Sequence, residues 1–152
     1  PAARVMSLRD GSKKMSKSDP SDHSRINMND DADTIAQKFR KAKTDFDALP
    51  SEGSGLKNRP EAKNLVAIYA ALGDQTEEEV LREVGGKQFS EFKPMLVERA
   101  VETLSPISSE MHRLMQDVSE INKILKGGAD KAREIAAPIL QKTYDIVGFL
   151  KP

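Results

Sequence analysis

The chain contains no cysteine, so disulfides, zinc–thiolate centres and thiol nucleophiles are excluded, and a reducing compartment is permitted. It has no net charge either. Twenty-four Lys and Arg balance 24 Asp and Glu, which leaves nucleic acid to be met by local basic patches rather than by the whole surface. Aromatics are scarce, five Phe and two Tyr; with 38% hydrophobic and 32% charged residues, this composition suits a well-solvated helical protein better than a β-sandwich. No apolar run approaches the roughly 18 residues of a membrane span. The opening "PAARVMSL" is neither a signal peptide nor an initiator-methionine context, and it reads as a chain entered partway through.

What is present is mostly helix. At 152 residues the chain suffices for one ordinary domain, or a small domain plus a piece of another. Val5, Met6 and Leu8 read as a short strand closed by the turn Arg9-Asp10-Gly11. A lone strand lacks independent stability, which points to a sheet upstream. "NDDADTIAQKFRKAK" places acids first and bases last, as a helix dipole favours, with Ile35 and Phe39 on one face. "ALPSEGSGLKNRP" is a loop by composition. Leu65, Ile68, Tyr69 and Leu72 then form a helical stripe ended by Gly73. Thr76 caps a helix carrying Val80, Leu81 and Val84, which Gly85 and Gly86 end. Ser90 opens a longer helix that Pro106 either kinks or restarts. "INKILKGG" is expected to stop at its glycines, and "ADKAREIAAPILQKTYDIVGFL" to form a further amphipathic helix.

The chemistry concentrates in "GSKKMSKSDPSDHSR". Lys14, Lys17, Ser16 and Ser18 present two ammonium groups and short hydroxyl donors on a loop with little bulk, which is what a polyphosphate requires. By composition alone, a solvated basic loop, a phosphorylated serine tract or a nuclear-targeting run remain open.

The order of residues carries more. Lys14-Met15-Ser16-Lys17-Ser18 resembles the KMSKS signature loop of class I aminoacyl-tRNA synthetases. The flanks "ARVMSLRDGSKKMSKSDP", "NLVAIYAAL" and "GADKAREIA" are similar to runs in bacterial and organellar tryptophanyl-tRNA synthetases, so the likeness extends over nearly the whole chain. The loop gives the class; the flanks give tryptophan.

The resemblance implies a mainly α fold. A helical anticodon-binding bundle (26–152), its last helix returning toward the catalytic domain, would follow the edge of a Rossmann-type catalytic domain with the KMSKS loop (1–25). It implies activation of tryptophan by ATP, with magnesium as the nucleotide counter-ion, and transfer to tRNA(Trp). Lys14 and Lys17 match the family lysines that stabilise departing pyrophosphate. Met15, Ser16 and Ser18 match the rest of the nucleotide-binding loop, and Val5 a strand position beside the adenine. No resident metal is implied. A homodimer through the other half of the enzyme, no membrane partner, and a bacterial cytoplasm or organelle matrix complete the expectation. The family's HIGH-like tetrad and tryptophan pocket do not occur in this stretch, so the chain by itself is expected to be inactive. "KTDF" departs from the family at Phe46, and the connector from Leu49 to Pro60 looks long.

Alternatives are a tyrosyl-tRNA synthetase, its structural sister, and a free-standing synthetase-derived RNA-binding module. Lys123, Lys126, Lys131 and Arg133 are interspersed with acids and read as a solvated face. His23 and His112 are expected at the surface, and most aromatics in the core.

Overall fold

The computed structural model describes residues 4–148 and 150. Among the described residues five helices follow one another: α1 (Ala32–Arg40), α2 (Pro60–Leu72), α3 (Glu77–Val84), α4 (Phe89–Gln116) and α5 (Val118–Val147). Single 3-10 turns occur at Asp22–Ser24 and Gly53–Leu56. The chain divides into two compact units, one ending at Met111 and the other beginning at His112.

Local chemistry sets the helix ends. The Asp31 carboxylate accepts the Thr34 N–H at 2.8 Å and caps α1. Pro60 opens α2 at a position where its missing N–H costs nothing. Thr76 and Glu79 form a reciprocal capping box on α3, each side chain accepting the other's backbone N–H. After α3, Gly86 takes a positive φ of 83° and donates its N–H to the Leu49 carbonyl at 2.8 Å, while Leu49 donates to Lys87 at 2.9 Å. That turn therefore also holds the connector between α1 and α2.

Two expectations need correction. The strand around Val5, Met6 and Leu8 is a single antiparallel bridge, Met6 opposite Lys14. A second ladder cannot form there because a side chain, Asn64, takes up the outward N–H and carbonyl of Met6. The helix expected to stop at Gly127-Gly128 runs through both, and through Pro138, as one 30-residue element. Two glycines cost about 1 kcal/mol each in a helix, which the propensity of the surrounding residues outweighs. At Pro106 the second of the two alternatives drops out: α4 continues through Pro94 and Pro106 as one helix.

The core of the first unit is built from Ile35 and Phe39 of α1, Leu65, Val66 and Tyr69 of α2, Val80, Leu81 and Val84 of α3, and Phe92, Leu96 and Ala100 of α4. Phe92 is its aromatic centre, edge-on to Tyr69 at 5.4 Å and to Phe89 at 6.5 Å. Arg99 stacks over the Tyr69 ring, its guanidinium carbon 3.6 Å from the centroid. Leu8 is buried among these helical residues although it belongs to the segment before the lysine loop. The connector contributes Leu49 and Leu56 to the same core.

Arg59 fastens the connector. Its guanidinium meets both Asp45 carboxylate oxygens and donates to the carbonyls of Asp47 and Ala48, each at 2.8 Å. Arg59, by its hydrogen bonds, holds the Asp45 carboxyl below the ordinary carboxylate range. A depressed folded-state pKa gives stability that is present above the unfolded value and lost as pH falls through the folded one. Asp45→Asn should therefore cost about 1 kcal/mol at neutral pH. The difference should vanish well below pH ~4. Urea unfolding midpoints of both proteins across that range check it.

Candidate functional site

The lysine loop stands on a hairpin-like stem. Ser7 donates its N–H to Lys13 at 2.8 Å, and Met15 donates to Val5 at 3.0 Å, flanking the Met6–Lys14 bridge. Asp10 makes the turn: its carboxylate accepts both the backbone N–H and the hydroxyl of Ser12 and pairs with Lys13 at 3.2 Å. Those hydrogen bonds, chiefly from Ser12, lower the Asp10 carboxyl to about 2, so it stays charged throughout the neutral range.

Helix α2 holds the near side of the stem. The Asn64 amide is buried, accepts the Met6 N–H at 3.0 Å, and donates to the carbonyls of Met6 at 2.9 Å and Ser7 at 3.3 Å. One side chain thus does the hydrogen bonding of a neighbouring strand. Glu61, one turn earlier, accepts from Lys43 at 2.8 Å and from the Gly11 N–H, which together hold its carboxyl below the ordinary range. Gly11 is needed there: a Cβ would lie 2.4 Å from the Pro60 carbonyl carbon. Backbone bonds from Leu8 to Ser24 at 2.9 Å and from Lys43 to Leu8 at 2.8 Å tie in the flanking segments.

Beyond the stem, the candidate residues are displayed. Lys14, Ser16, Lys17 and Ser18 are exposed, and Met15 is half-buried against the core. Neither Lys14 nor Lys17 has an ion-pair partner among the described residues. Ser16 turns the loop: its hydroxyl oxygen accepts the Ser18 N–H at 3.2 Å and its carbonyl the Asp19 N–H at 3.3 Å. Val5 is joined to Met15 through its carbonyl and borders a cleft of about 450 Å³ with Ala67, Ala70 and Ala71 of α2. The stem thus brings Val5, Lys14 and Met15 together, and the turn carries Ser16, Lys17 and Ser18 outward.

The far side of the loop meets α1. Arg25 donates to the carbonyls of Asp19 at 2.9 Å and Ser21 at 3.4 Å, and pairs with Asp22 at 3.1 Å. Lys38 is 1% exposed and lies between the carboxylates of Asp22, at 2.8 Å, and Asp30. Asn27 bridges the same two carboxylates. Sequence reasoning missed both braces, yet the signal was in the spacing. Lys38 sits three residues after Ile35, on the apolar face of α1, and Asn64 interrupts the apolar stripe of α2.

His23 is not simply at the surface; it is half-buried, with Nδ1 shielded from solvent and without a hydrogen-bond partner. His112 is exposed. Lys126 and Arg133 pair with Asp130 at 2.7 and 3.1 Å on an exposed face of α5, as the mixed charges there suggest. Of the aromatics, Phe39, Tyr69, Phe89 and Phe92 are buried, Phe46 is fully exposed, and Phe149 lies outside the described residues.

The braced lysine–serine loop leading into a helical bundle is compatible with the class I tRNA synthetases, and comparison with known proteins establishes that class. More narrowly, the chain belongs to the family of tRNA synthetases class I (W and Y), whose model matches residues 2–105. It is 64% identical over 151 residues to the tryptophan–tRNA ligase of Rhizobium meliloti, covering 99% of this chain and 43% of that protein. The chloroplastic/mitochondrial tryptophan–tRNA ligase of Arabidopsis thaliana is 40% identical over 148 residues, 97% of this chain and 36% of that protein. The crystal structure of tryptophanyl-tRNA synthetase from Mycoplasma pneumoniae superposes with a TM-score of 0.75 at 26% identity, covering 97% of this chain and 44% of that one. The chain thus spans less than half the length of the relatives it matches.

Asn64→Ala removes all three side-chain bonds to the stem and leaves the Met6 N–H without a partner. It should cost about 1–3 kcal/mol. Amide exchange at Met6 and Met15 should accelerate more than exchange in α3, which hydrogen-exchange mass spectrometry reads directly.

Proposed function

We propose that the protein to which this chain belongs is a tryptophan–tRNA ligase, activating tryptophan with ATP and passing the aminoacyl group to the 3′ end of tRNA(Trp). The observation that carries this reading is the 64% identity to the Rhizobium meliloti ligase across nearly the whole chain. Residues 1–25 then form the edge of the nucleotide-binding domain with its KMSKS loop, and residues 26–152 the helical anticodon-binding domain. The last helix returns toward the catalytic domain. The enzyme is a homodimer formed through the other half of the protein, in a bacterial cytoplasm or an organelle matrix. No helix among the described residues is long and apolar enough to cross a membrane.

In the first step, a carboxylate oxygen of tryptophan attacks the α-phosphorus of ATP. The bond from that phosphorus to the bridging oxygen breaks, and pyrophosphate leaves with the electron pair. Negative charge therefore grows on the β-phosphate side in the transition state. Lys14 and Lys17 supply mobile point charges for it, Ser16 and Ser18 supply hydroxyl donors, and Met15 packs the loop down. Val5 borders the adenine. Magnesium would accompany the nucleotide as its counter-ion; the cationic loop suits the anion rather than the metal. This chain alone, without the half that carries the HIGH-like tetrad and the tryptophan pocket in the family, forms no adenylate.

Pyrophosphate exchange by the full-length gene product, with each amino acid in turn, tests the reading. Exchange with tryptophan alone is expected. Exchange with tyrosine would keep the family and change the substrate, and no exchange with any amino acid would leave an RNA-binding module. In the active enzyme, Lys14→Ala and Lys17→Ala should each cost roughly 2–4 kcal/mol of transition-state stabilisation with little change in tryptophan KM. Wild-type exchange rates in both variants would remove the two lysines from the mechanism.

A further inference from the structure

We propose that Asp22 and Lys38 are positioning residues for the lysine loop, setting where Lys17 stands through the segment that follows the loop. The inference rests on the ligase reading for its catalytic consequence, and on geometry for the rest.

Lys38 is an expensive residue to place where it is. At 1% exposed, on the apolar face of α1 beside Ile35 and Phe39, its ammonium has lost nearly all its water. Buried ion pairs give little net stability compared with an apolar side chain of the same volume, so the charge is explained better by what it orients. It gathers two carboxylates that lie on either side of a turn. Asp30 sits just before α1 and is 9% exposed; Asp22 belongs to the 3-10 turn after the loop and is 58% exposed. The Asp30 pair anchors Lys38 inside the fold. The Asp22 bond, at 2.8 Å, reaches outward.

From Asp22 a continuous path leads to the loop. Its other carboxylate oxygen accepts from Arg25 at 3.1 Å and from Asn27 at 3.1 Å. Arg25 donates to the Asp19 carbonyl at 2.9 Å, and the Asp19 carboxylate accepts the Ser21 N–H at 2.8 Å. Asp19 in turn donates its N–H to Ser16, which closes the turn containing Lys17. Every link is polar, and none adds apolar burial. The flexible side chain of Lys17 can follow a moving charge only if its backbone is held, and this chain of bonds holds it. By hydrogen bonding, Lys38 also keeps the Asp22 carboxyl below its ordinary range, so the link persists at neutral pH.

The two ends of the clasp are separable by mutation. Lys38→Met strands Asp30 and would disturb folding as well as the loop. Asp22→Asn keeps the shape, leaves Lys38 paired with Asp30, and changes only the outward link. In the full-length enzyme, Asp22→Asn should lower the melting temperature only slightly, because Asp22 is largely exposed and Lys38 keeps its partner Asp30. It should lower kcat for tryptophan-dependent pyrophosphate exchange about tenfold, with tryptophan KM unchanged. Amide exchange at Ser18, Asp19 and Ser21 should accelerate, while Ile35 in α1 keeps its protection. Asp22→Glu, which retains the carboxylate, should recover part of the loss. Wild-type kcat and loop protection in Asp22→Asn would overturn the inference. So would a loss of kcat that comes with lower stability and faster exchange in α1, since that is a purely structural effect. If the wild-type enzyme exchanges with no amino acid, the ligase reading fails by itself. Loop amide exchange in Asp22→Asn then still decides the clasp, faster exchange upholding it and unchanged exchange overturning it.

Discussion

Everything about the lysine loop depends on one side-chain amide. The segment before the loop pairs with the segment after it at a single bridge, Met6 with Lys14. One bridge cannot hold a loop, because the entropy of fixing each backbone residue, about 1–2 kcal/mol, exceeds what one pair of hydrogen bonds returns. Asn64 supplies the missing edge. By accepting from Met6 and donating to Met6 and Ser7, it satisfies the outward-facing groups from a helix rather than from a strand. Leu8 then anchors the same segment in the helical core, and the loop inherits the rigidity of that core at both ends of its stem.

Two kinds of brace divide the labour. On the near side, Asn64 and Glu61 act on backbone groups, so the register of the stem is fixed by geometry rather than by charge. On the far side, Lys38, Asp22, Asp30 and Arg25 act mainly through charge, which falls off more gently with distance and tolerates small movements. A fixed stem keeps Lys14 in place, and the braced outer turn holds the Lys17 backbone while its flexible side chain stays free to move.

Much of this was legible in the sequence. Helix ends followed from Asp31, Thr76 and Gly73, and apolar spacing located Ile35, Phe39, Leu65 and Val80 in the core. The loop was visible from five residues in order. The braces were hidden because they are polar residues at core positions, which periodicity records only as interruptions. Lys38 read as a favourable charge near a helix C-terminus, and Asn64 lay outside the apolar stripe that begins at Leu65. The glycines at 127 and 128 misled for a different reason: a helix stop requires a change of backbone conformation, and two glycines permit that change without enforcing it. His23 read as a surface residue because nothing in sequence shows which loop side chains the following turn will shield.

The pairing of charges around the loop explains how a neutral chain presents a cationic site. Lys13 and Lys14 are adjacent, yet only Lys13 meets a carboxylate, that of Asp10. Arg25 pairs with Asp22, Lys38 with Asp22 and Asp30, and Lys43 with Glu61. Each of these cations is matched locally, and each match also positions backbone. Lys14 and Lys17 are left to solvent. Lys14 and Lys17 thus have no internal carboxylate to give up, because the carboxylates near the loop are spent on Lys13, Arg25, Lys38 and Lys43.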